Sequence, residues 1–260
     1  MITLFLASLI FIGDVQINSL STYPDSVASI ISSQIGNEVI YDAGDVVEHG
    51  SMFEEQEYAR YQQLFPNSIP VPGNHDWYDG LENWNWGTSV NVYDEGIHVV
   101  GFDTQQYWNT VALGNLRQNL NDGKNITILF MHHQVYSDNL RNGAISNSIR
   151  PYLLPIIEGT KTSLVICGHG HAYERHYSNG VTYLVIGGAG APLDLVGDSE
   201  TQIISSSEHH WVEIVVTRTG IHCVVHGLVP GQVIDVFDIA TPVSSVSIPD
   251  VNYTIGGFVK

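Results

Sequence analysis

Ser163-Leu164-Val165-Ile166-Cys167-Gly168-His169-Gly170-His171 is the stretch from which the architecture can be read. Residues Ser163–Cys167 form a short β-branched apolar run, suited to a strand buried on both faces, and a glycine turn then presents two histidines. The same arrangement recurs upstream. Asp14 directly follows the run Ile2–Ile12, Asp45 follows Glu38–Tyr41, Asn74 follows the short Ile69–Val71 segment, and His132 follows Ile126–Met131. Each of these residues sits just past a strand's carboxyl end, where open α/β sheets place their ligand sites.

Two more apolar runs, Ile97–Phe102 and Val181–Ile186, extend the series, and helix-compatible stretches are interleaved with it. Asp25–Ile35 carries Val27, Ile30, Ile31 and Gln34 on helical spacing. Ser51–Leu64, Ala112–Leu120 and Asn147–Ile157 also read as helices, the last interrupted by Pro151 and Pro155. This alternation predicts an α/β sandwich. After Gly190 the pattern changes: Trp211–Thr217 and Ile221–His226 flank Arg218-Thr219-Gly220 as a hairpin, and Gln232–Ile239 alternates as a further strand. These strands are expected to close the sheets. A single domain over residues 1–240 is expected, with 241–260 an edge strand, a tail or a linker.

Composition supports one core. The 260 residues are 43% hydrophobic and only 14% charged, and 27 acids against 9 bases leave a formal charge of −18. A field of that sign disfavours nucleic acid and anionic membranes as partners. It does not oppose a small phosphorylated substrate, because bound metal ions reverse the sign inside a cleft. Leu4–Ile12 is too short to span a bilayer and lacks a basic flank, so it reads as a buried strand. The compartment, cytoplasmic or secreted, stays open, as does the oligomeric state. Cys167 and Cys223 lie in apolar runs and read as buried thiols, a single bridge being the alternative.

Two aspartates, one asparagine and three histidines make a mixed oxygen and nitrogen set that suits first-row divalent or trivalent metals. An aspartate can bridge two ions, and two ions ~3.5–4 Å apart form the clamp used for in-line displacement at phosphorus. The set therefore predicts ester hydrolysis.

In their order, Gly13-Asp14-Val15-Gln16, Gly44-Asp45 through Gly50, Gly73-Asn74-His75-Asp76, Met131-His132-His133 and Gly168-His169-Gly170-His171 resemble the calcineurin-like metallophosphoesterase superfamily. Gly101-Phe102-Asp103-Thr104, His171-Ala172-Tyr173-Glu174-Arg175 and Gly187-Gly188-Ala189-Gly190 are similar to its purple-acid-phosphatase-like branch. The resemblance implies a four-layer αββα sandwich of two mixed β-sheets flanked by helices. It implies one ion held by Asp14, Asp45 and His171, with Gln16 as a further candidate ligand, and a second held by Asp45, Asn74, His132 and His169. Two ions of the manganese, iron or zinc class would serve. His75 would face the substrate as general acid or stabilising cation, beside Asn74, and a metal-bound hydroxide would attack a phosphomonoester in line. A small-molecule phosphodiesterase, or a catalytically weak binding module on the same fold, are the alternatives.

The chain departs from the family pattern at three places. Gln16 stands where the first motif often has histidine. Glu48 stands where purple acid phosphatases carry the tyrosine that gives them colour, so a colourless protein is expected. Glu48 resembles instead the carboxylate that orients the catalytic histidine in phosphoprotein phosphatases, while His49 replaces that motif's arginine. Paired substrate-side histidines past His132 are missing, and Arg141-Asn142 lie there, which makes Arg141 a candidate substrate anchor.

Other residues carry blander readings. His133 reads as packing beside its neighbour, His209-His210 and His222 as surface or strand-pairing residues, and Trp84, Trp86 and Trp108 as packing or a pocket wall. Arg175 reads as structural beside Tyr173-Glu174, and Arg150 as a solvated helix end.

Overall fold

The computed structural model describes residues 5–49, 54–78, 81, 84, 86–94, 97–122, 126–217 and 220–240. The expectation for residues 241–260 falls outside these, as do the hairpin tip at 218–219 and the start of the helix expected from Ser51. In chain order the elements are β1 (Phe5–Ile12), α1 (Tyr23–Ile35), β2 (Ile40–Asp42), α2 (Glu54–Leu64), β3 (Ser68–Pro70), β4 (Ser89–Asp94), β5 (Ile97–Phe102), α3 (Thr110–Leu120), β6 (Ile126–Met131), α4 (Ile145–Ile157), β7 (Thr162–Cys167), β8 (Tyr173–Ser178), β9 (Val181–Ile186), β10 (Gln202–Ser206), β11 (His210–Thr217), β12 (Gly220–Gly227) and β13 (Val233–Ala240).

The strands form two mixed sheets. One runs β13-β12-β11-β1-β2-β3, the other β10-β8-β9-β7-β6-β5-β4. β1, β2 and β3 are mutually parallel, as are β5, β6, β7 and β9, and the hairpin β11–β12 joins the first sheet antiparallel to β1.

The period-2 alternation of side chains along a strand sorts the core into layers. Leu9 and Phe11 of β1 meet Ile128 and Phe130 of β6, Leu164 and Ile166 of β7, and Val212 and Ile214 of β11 in the cluster between the sheets. The alternate residues Ile10 and Ile12 turn outward onto Val27 and Ile31 of α1 and Tyr58 and Tyr61 of α2. On the far side Leu129, Met131 and Val165 pack against Leu116 and Leu120 of α3 and Ile149 and Leu153 of α4. The order is helices, sheet, sheet, helices, which is the expected αββα sandwich. Each such side chain contributes roughly 1.5–3 kcal/mol on full burial.

α4 corrects one expectation, since it runs unbroken through Pro151 and Pro155. A proline removes the bond to the carbonyl four residues back. Here the residues whose carbonyls lose that bond, Asn147 and Pro151, lie on the exposed face together with Pro155, so water takes over. Cys167 and Cys223 are buried free thiols in opposite sheets, and burial pushes Cys167 up to about 12. Among the described residues no helix is long and apolar enough to cross a membrane.

Candidate metal centre

Register brings the site residues together. Ile12 pairs with Asp42 across β1 and β2, so the turns bearing Asp14 and Asp45 leave the first sheet at the same level. They are tied by Asp14 N–H to Gly44 O (3.0 Å) and Gln16 N–H to Asp45 O (2.9 Å). In the second sheet Met131 pairs with Cys167, and Gly168 N–H donates to His132 O at 2.9 Å, which sets His132 and His169 side by side. The two sheet ends abut at glycines: a Cβ on Gly168 would stand 2.4 Å from Asp14 Oδ2.

Asp14, Gln16, Asp45 and His169 all have positive φ, between 48° and 65°, and Asn179 is the only other described non-glycine residue that does. Such backbone is costly for a residue with a Cβ and clusters at functional sites. What it achieves here is convergence. His132 Nε2 stands 3.3 Å from Asp45 Oδ2 and 3.0 Å from Asn74 Oδ1, and His171 Nε2 stands 3.4 Å from Asp14 Oδ1. One ligand atom each from Asp14, Asp45 and His132 falls within 4.8 Å of the other two, and so it does for His132, His133 and His169.

The outer ring nitrogens are held from behind. His132 Nδ1 bonds Ala43 O at 2.9 Å, and His171 Nδ1 bonds Pro192 O at 3.0 Å. That arrangement turns Nε2 of each ring inward as a lone pair, as in metal-ligating histidines. Asp14 Oδ1 is buried without a hydrogen-bond donor. The charge pattern matches. Desolvation disfavours charge on both histidines, yet Asp45 and Asp14 drive His132 up to about 10, while His169, facing His132, falls to about 4. Converging acceptors that call for positive charge are what a divalent cation satisfies, with release of protons on binding.

His75 lies at the mouth. Its N–H donates to Asp45 Oδ1 at 2.8 Å, and its Nε2 is 4.0 Å from Asp45 Oδ2. Nδ1 bonds the main-chain carbonyl of Glu48 at 2.8 Å, with the Glu48 carboxylate further off at 3.9 Å. The Glu48 backbone adds a hold that the sequence did not suggest, because the turn after Asp45 aims its carbonyl at Nδ1, while its partly exposed carboxylate faces the same nitrogen. Gln16 is buried with Nε2 donating to Asp45 Oδ2 at 3.4 Å. Arg141 is largely exposed, 3.7 Å from Asp194 Oδ1. Gln16, Glu48, His75, Arg141 and His171 line one cleft of about 190 Å³.

Two residues whose part the sequence did not reveal brace the centre. Asp76 is fully buried and takes N–H bonds from Asp45 (2.9 Å) and Gly73 (2.8 Å) through Oδ2. Burial, aided by the Asp45 charge, pushes its carboxyl up to about 7. Its position next to His75 in the third motif was the available signal. Asp194 accepts from Asn139 Nδ2, Asn142 Nδ2 and His171 N–H, and no motif marks it.

His209 and His210, read as surface or strand-pairing residues, are both buried; His210 pairs with Gly227 across β11 and β12 and bonds Glu208 O, and His209 bonds Gly188 O and Tyr23. His222 pairs with Asp238 across β12 and β13. His133 bonds Thr104 Oγ1. Trp84 and Trp86 pack on Tyr58, and Arg175 bonds Asp235.

Gly73 tests the build. A Cβ there would fall 2.1 Å from Asp45 Oδ1 and 2.5 Å from Asp45 N. Gly73→Ala is expected to displace the Asp45 carboxylate and weaken metal affinity by roughly 10–100-fold, the range for disturbed support of a ligand. Titration with manganese or zinc checks it, and unchanged affinity would exclude the tight packing described.

Comparison with known proteins agrees with this geometry. No curated protein matches the sequence significantly. The fold matches PPD1, a purple acid phosphatase from yellow lupin (Lupinus luteus) seeds, with TM-score 0.75 and 15% identity over 90% of this chain. This chain spans 54% of the lupin protein. It also matches GAP50, the anchor in the inner membrane complex of Plasmodium (TM-score 0.73, 16% identity, 92% of this chain and 90% of that one). A dimetal phosphatase from Danio rerio matches with TM-score 0.66 and 12% identity over 92% of this chain and all of that one. At these identities the likeness is one of fold. The calcineurin-like phosphoesterase model matches residues 7–173, more than half of the sequence and every strand-end motif up to His171, and the chain belongs to that family of metal-dependent phosphoester hydrolases.

Proposed function

We propose that the chain is a binuclear phosphatase that cleaves a small phosphomonoester. The observation that carries this reading is the convergence of Asp14, Asp45, Asn74, His132, His169 and His171, three of which, Asp14, Asp45 and His169, sit on left-handed backbone. Asp14, Asp45 and His171, with Gln16 beside them, would hold one ion, and Asp45, Asn74, His132 and His169 the other. When bound, the ions supply a nucleophile at neutral pH and neutralise the phosphoryl charge.

The chain's own residues supply the rest. His75, with Nδ1–H given to Glu48 O, directs Nε2 into the cleft, where a proton can be passed to the leaving oxygen. Arg141, across the cleft, offers a cation for the phosphate, and Asn74 can donate to it from beside His132. Relative turnover of an aryl monoester and its bis-aryl diester tests the reaction class. Preference for the diester would make the chain a phosphodiesterase.

GAP50 is named as an anchor, and Gln16 in place of a histidine leaves room for a catalytically weak binding module on the same fold. His75 and the complete second ligand set speak for the enzyme. A protein that binds two ions and turns over no ester would favour the module.

The placement of Glu48 yields a testable expectation. Glu48→Gln keeps the carbonyl that holds His75 and removes only a negative charge 3.9 Å from Nδ1. The His75 pKa should fall, and the basic limb of the pH–rate profile should move down, with metal content unchanged. Loss of metal would show Glu48 to be a ligand instead.

A further inference from the structure

A second group of potential ligands lies outside the cleft, on the face of β8 that turns toward α4. Glu174 and His176 are two residues apart on β8, so their side chains share a face, and both are wholly buried. Asp138, from the loop between β6 and α4, completes a set whose ligand atoms all lie within 4.8 Å of one another. His176 Nε2 is 3.1 Å from Glu174 Oε2. Two ligands of one zinc ion, each ~2.0–2.1 Å from the metal in tetrahedral geometry, stand roughly 3.3 Å apart. The separations in the catalytic cluster are of the same size: 3.3 Å for His132 and Asp45, 3.4 Å for His171 and Asp14.

Three features distinguish this group from an ordinary buried ion pair. Asp138 Oδ2 is buried with no hydrogen-bond donor, and so is Oε1 of Gln202, the cross-strand partner of His176 on β10. Burying an acceptor unpaired costs about 1–3 kcal/mol. The ring is oriented from behind, with Nδ1 bonded to Thr201 Oγ1 at 3.1 Å, which is how ligating histidines are held. The Glu174 carboxylate is braced too, accepting from Ser137 Oγ and Asp138 N–H, each at 2.6 Å.

We propose that Asp138, Glu174 and His176 form a structural metal site of the zinc class, separate from the catalytic pair, that clamps the loop 137–142 to β8. One nitrogen and two carboxylate oxygens suit a first-row divalent ion, and the Gln202 amide shares the face from which a fourth donor would come. The loop so fastened runs from Asp138 to Asn139 and Asn142, which bond Asp194, and it carries Arg141 into the wall of the cleft. The ion would fix the cation that meets the phosphate without touching the substrate.

The test is zinc content after equilibrium dialysis of the full chain, comparing wild type with Asp138→Ala and His176→Gln. Both variants should bind one equivalent fewer than wild type, and zinc should raise their melting temperature less. Asp45→Asn should lose metal elsewhere and keep this equivalent. Asp138 is half-buried, so Asp138→Ala decides the matter if His176→Gln fails to fold. Unchanged zinc content in a folded Asp138→Ala would overturn the proposal. A raised KM for the monoester with kcat near wild type in Asp138→Ala would show the clamp acting through Arg141.

Discussion

Asp45→Ala should abolish both turnover and the binding of metal at the catalytic centre. The residue faces both halves of the proposed pair: Oδ2 is 3.3 Å from His132 Nε2 and receives the Gln16 amide, while Oδ1 accepts the His75 backbone N–H. Burial disfavours its charge, but His132, His75 and His169 outweigh that and hold its carboxyl well below the ordinary range. Removing it leaves histidines facing one another with no anion between them, so neither ion keeps its bridge. A metal lowers the pKa of bound water far below its bulk value, to about 7, so the rate should fall by more than ~10⁴-fold. Metal analysis and monoester turnover on the same preparation check this. A variant that retains two ions and wild-type turnover would refute the centre.

Loss of the His75 ring should cost less and leave the ions in place. His75→Ala keeps the backbone N–H on Asp45 and removes the group that faces the cleft. A positioned acid or base contributes roughly 10²–10⁴-fold, and a loss in that range is expected. Burial lowers the pKa of the ring, but the Asp45 charge and the Glu48 carbonyl and carboxylate raise it further, so it ends above its ordinary 6.5. The active protonated form therefore persists above pH 6.5, and the basic limb of wild type should lie there and vanish in the variant. A proton donor matters most when the leaving alkoxide is poor. An alkyl monoester should lose more than a nitrophenyl ester, and equal losses would assign His75 to charge stabilisation alone. Metal lost from His75→Ala would make it a ligand.

The strands plainest in the sequence are those it makes apolar on both faces, while β13 was disclosed by its alternation instead. β5, β6 and β9 are buried at every position, and each could be placed from its hydrophobic run. β8 and β10 escaped because they are polar: Tyr173–Ser178 spends Glu174, Arg175 and His176 on bonds to Ser137, Asp235 and Thr201, remote in sequence, and Gln202–Ser206 is an edge strand. β4, Ser89–Asp94, is the opposite edge and was missed for the same reason.

The candidate ligand side chains were legible because chemistry places their residue types directly after strands. Asp194 was not, since its partners Asn139, Asn142 and His171 are brought to it only by the fold. Nor could the sequence tell that Glu48 would hold His75 by its carbonyl. That depends on the direction of a peptide group, which side-chain identity does not encode. Pro151 and Pro155 misled because their effect depends on which face of α4 they occupy.

The left-handed backbone at Asp14, Gln16, Asp45 and His169 bears on how this protein responds to engineering. Glycine adopts that conformation freely, while a side-chain-bearing residue there costs of order 1–3 kcal/mol. Random libraries selected only for heat tolerance should therefore accumulate glycine or asparagine at such positions, Gln16 and His169 first, because Asp45 also anchors His75. Each gain would be taken from the ligand turns. Directed evolution toward a sturdier biocatalyst needs an activity screen at every round, and a library sorted for folding alone drifts toward an inert scaffold.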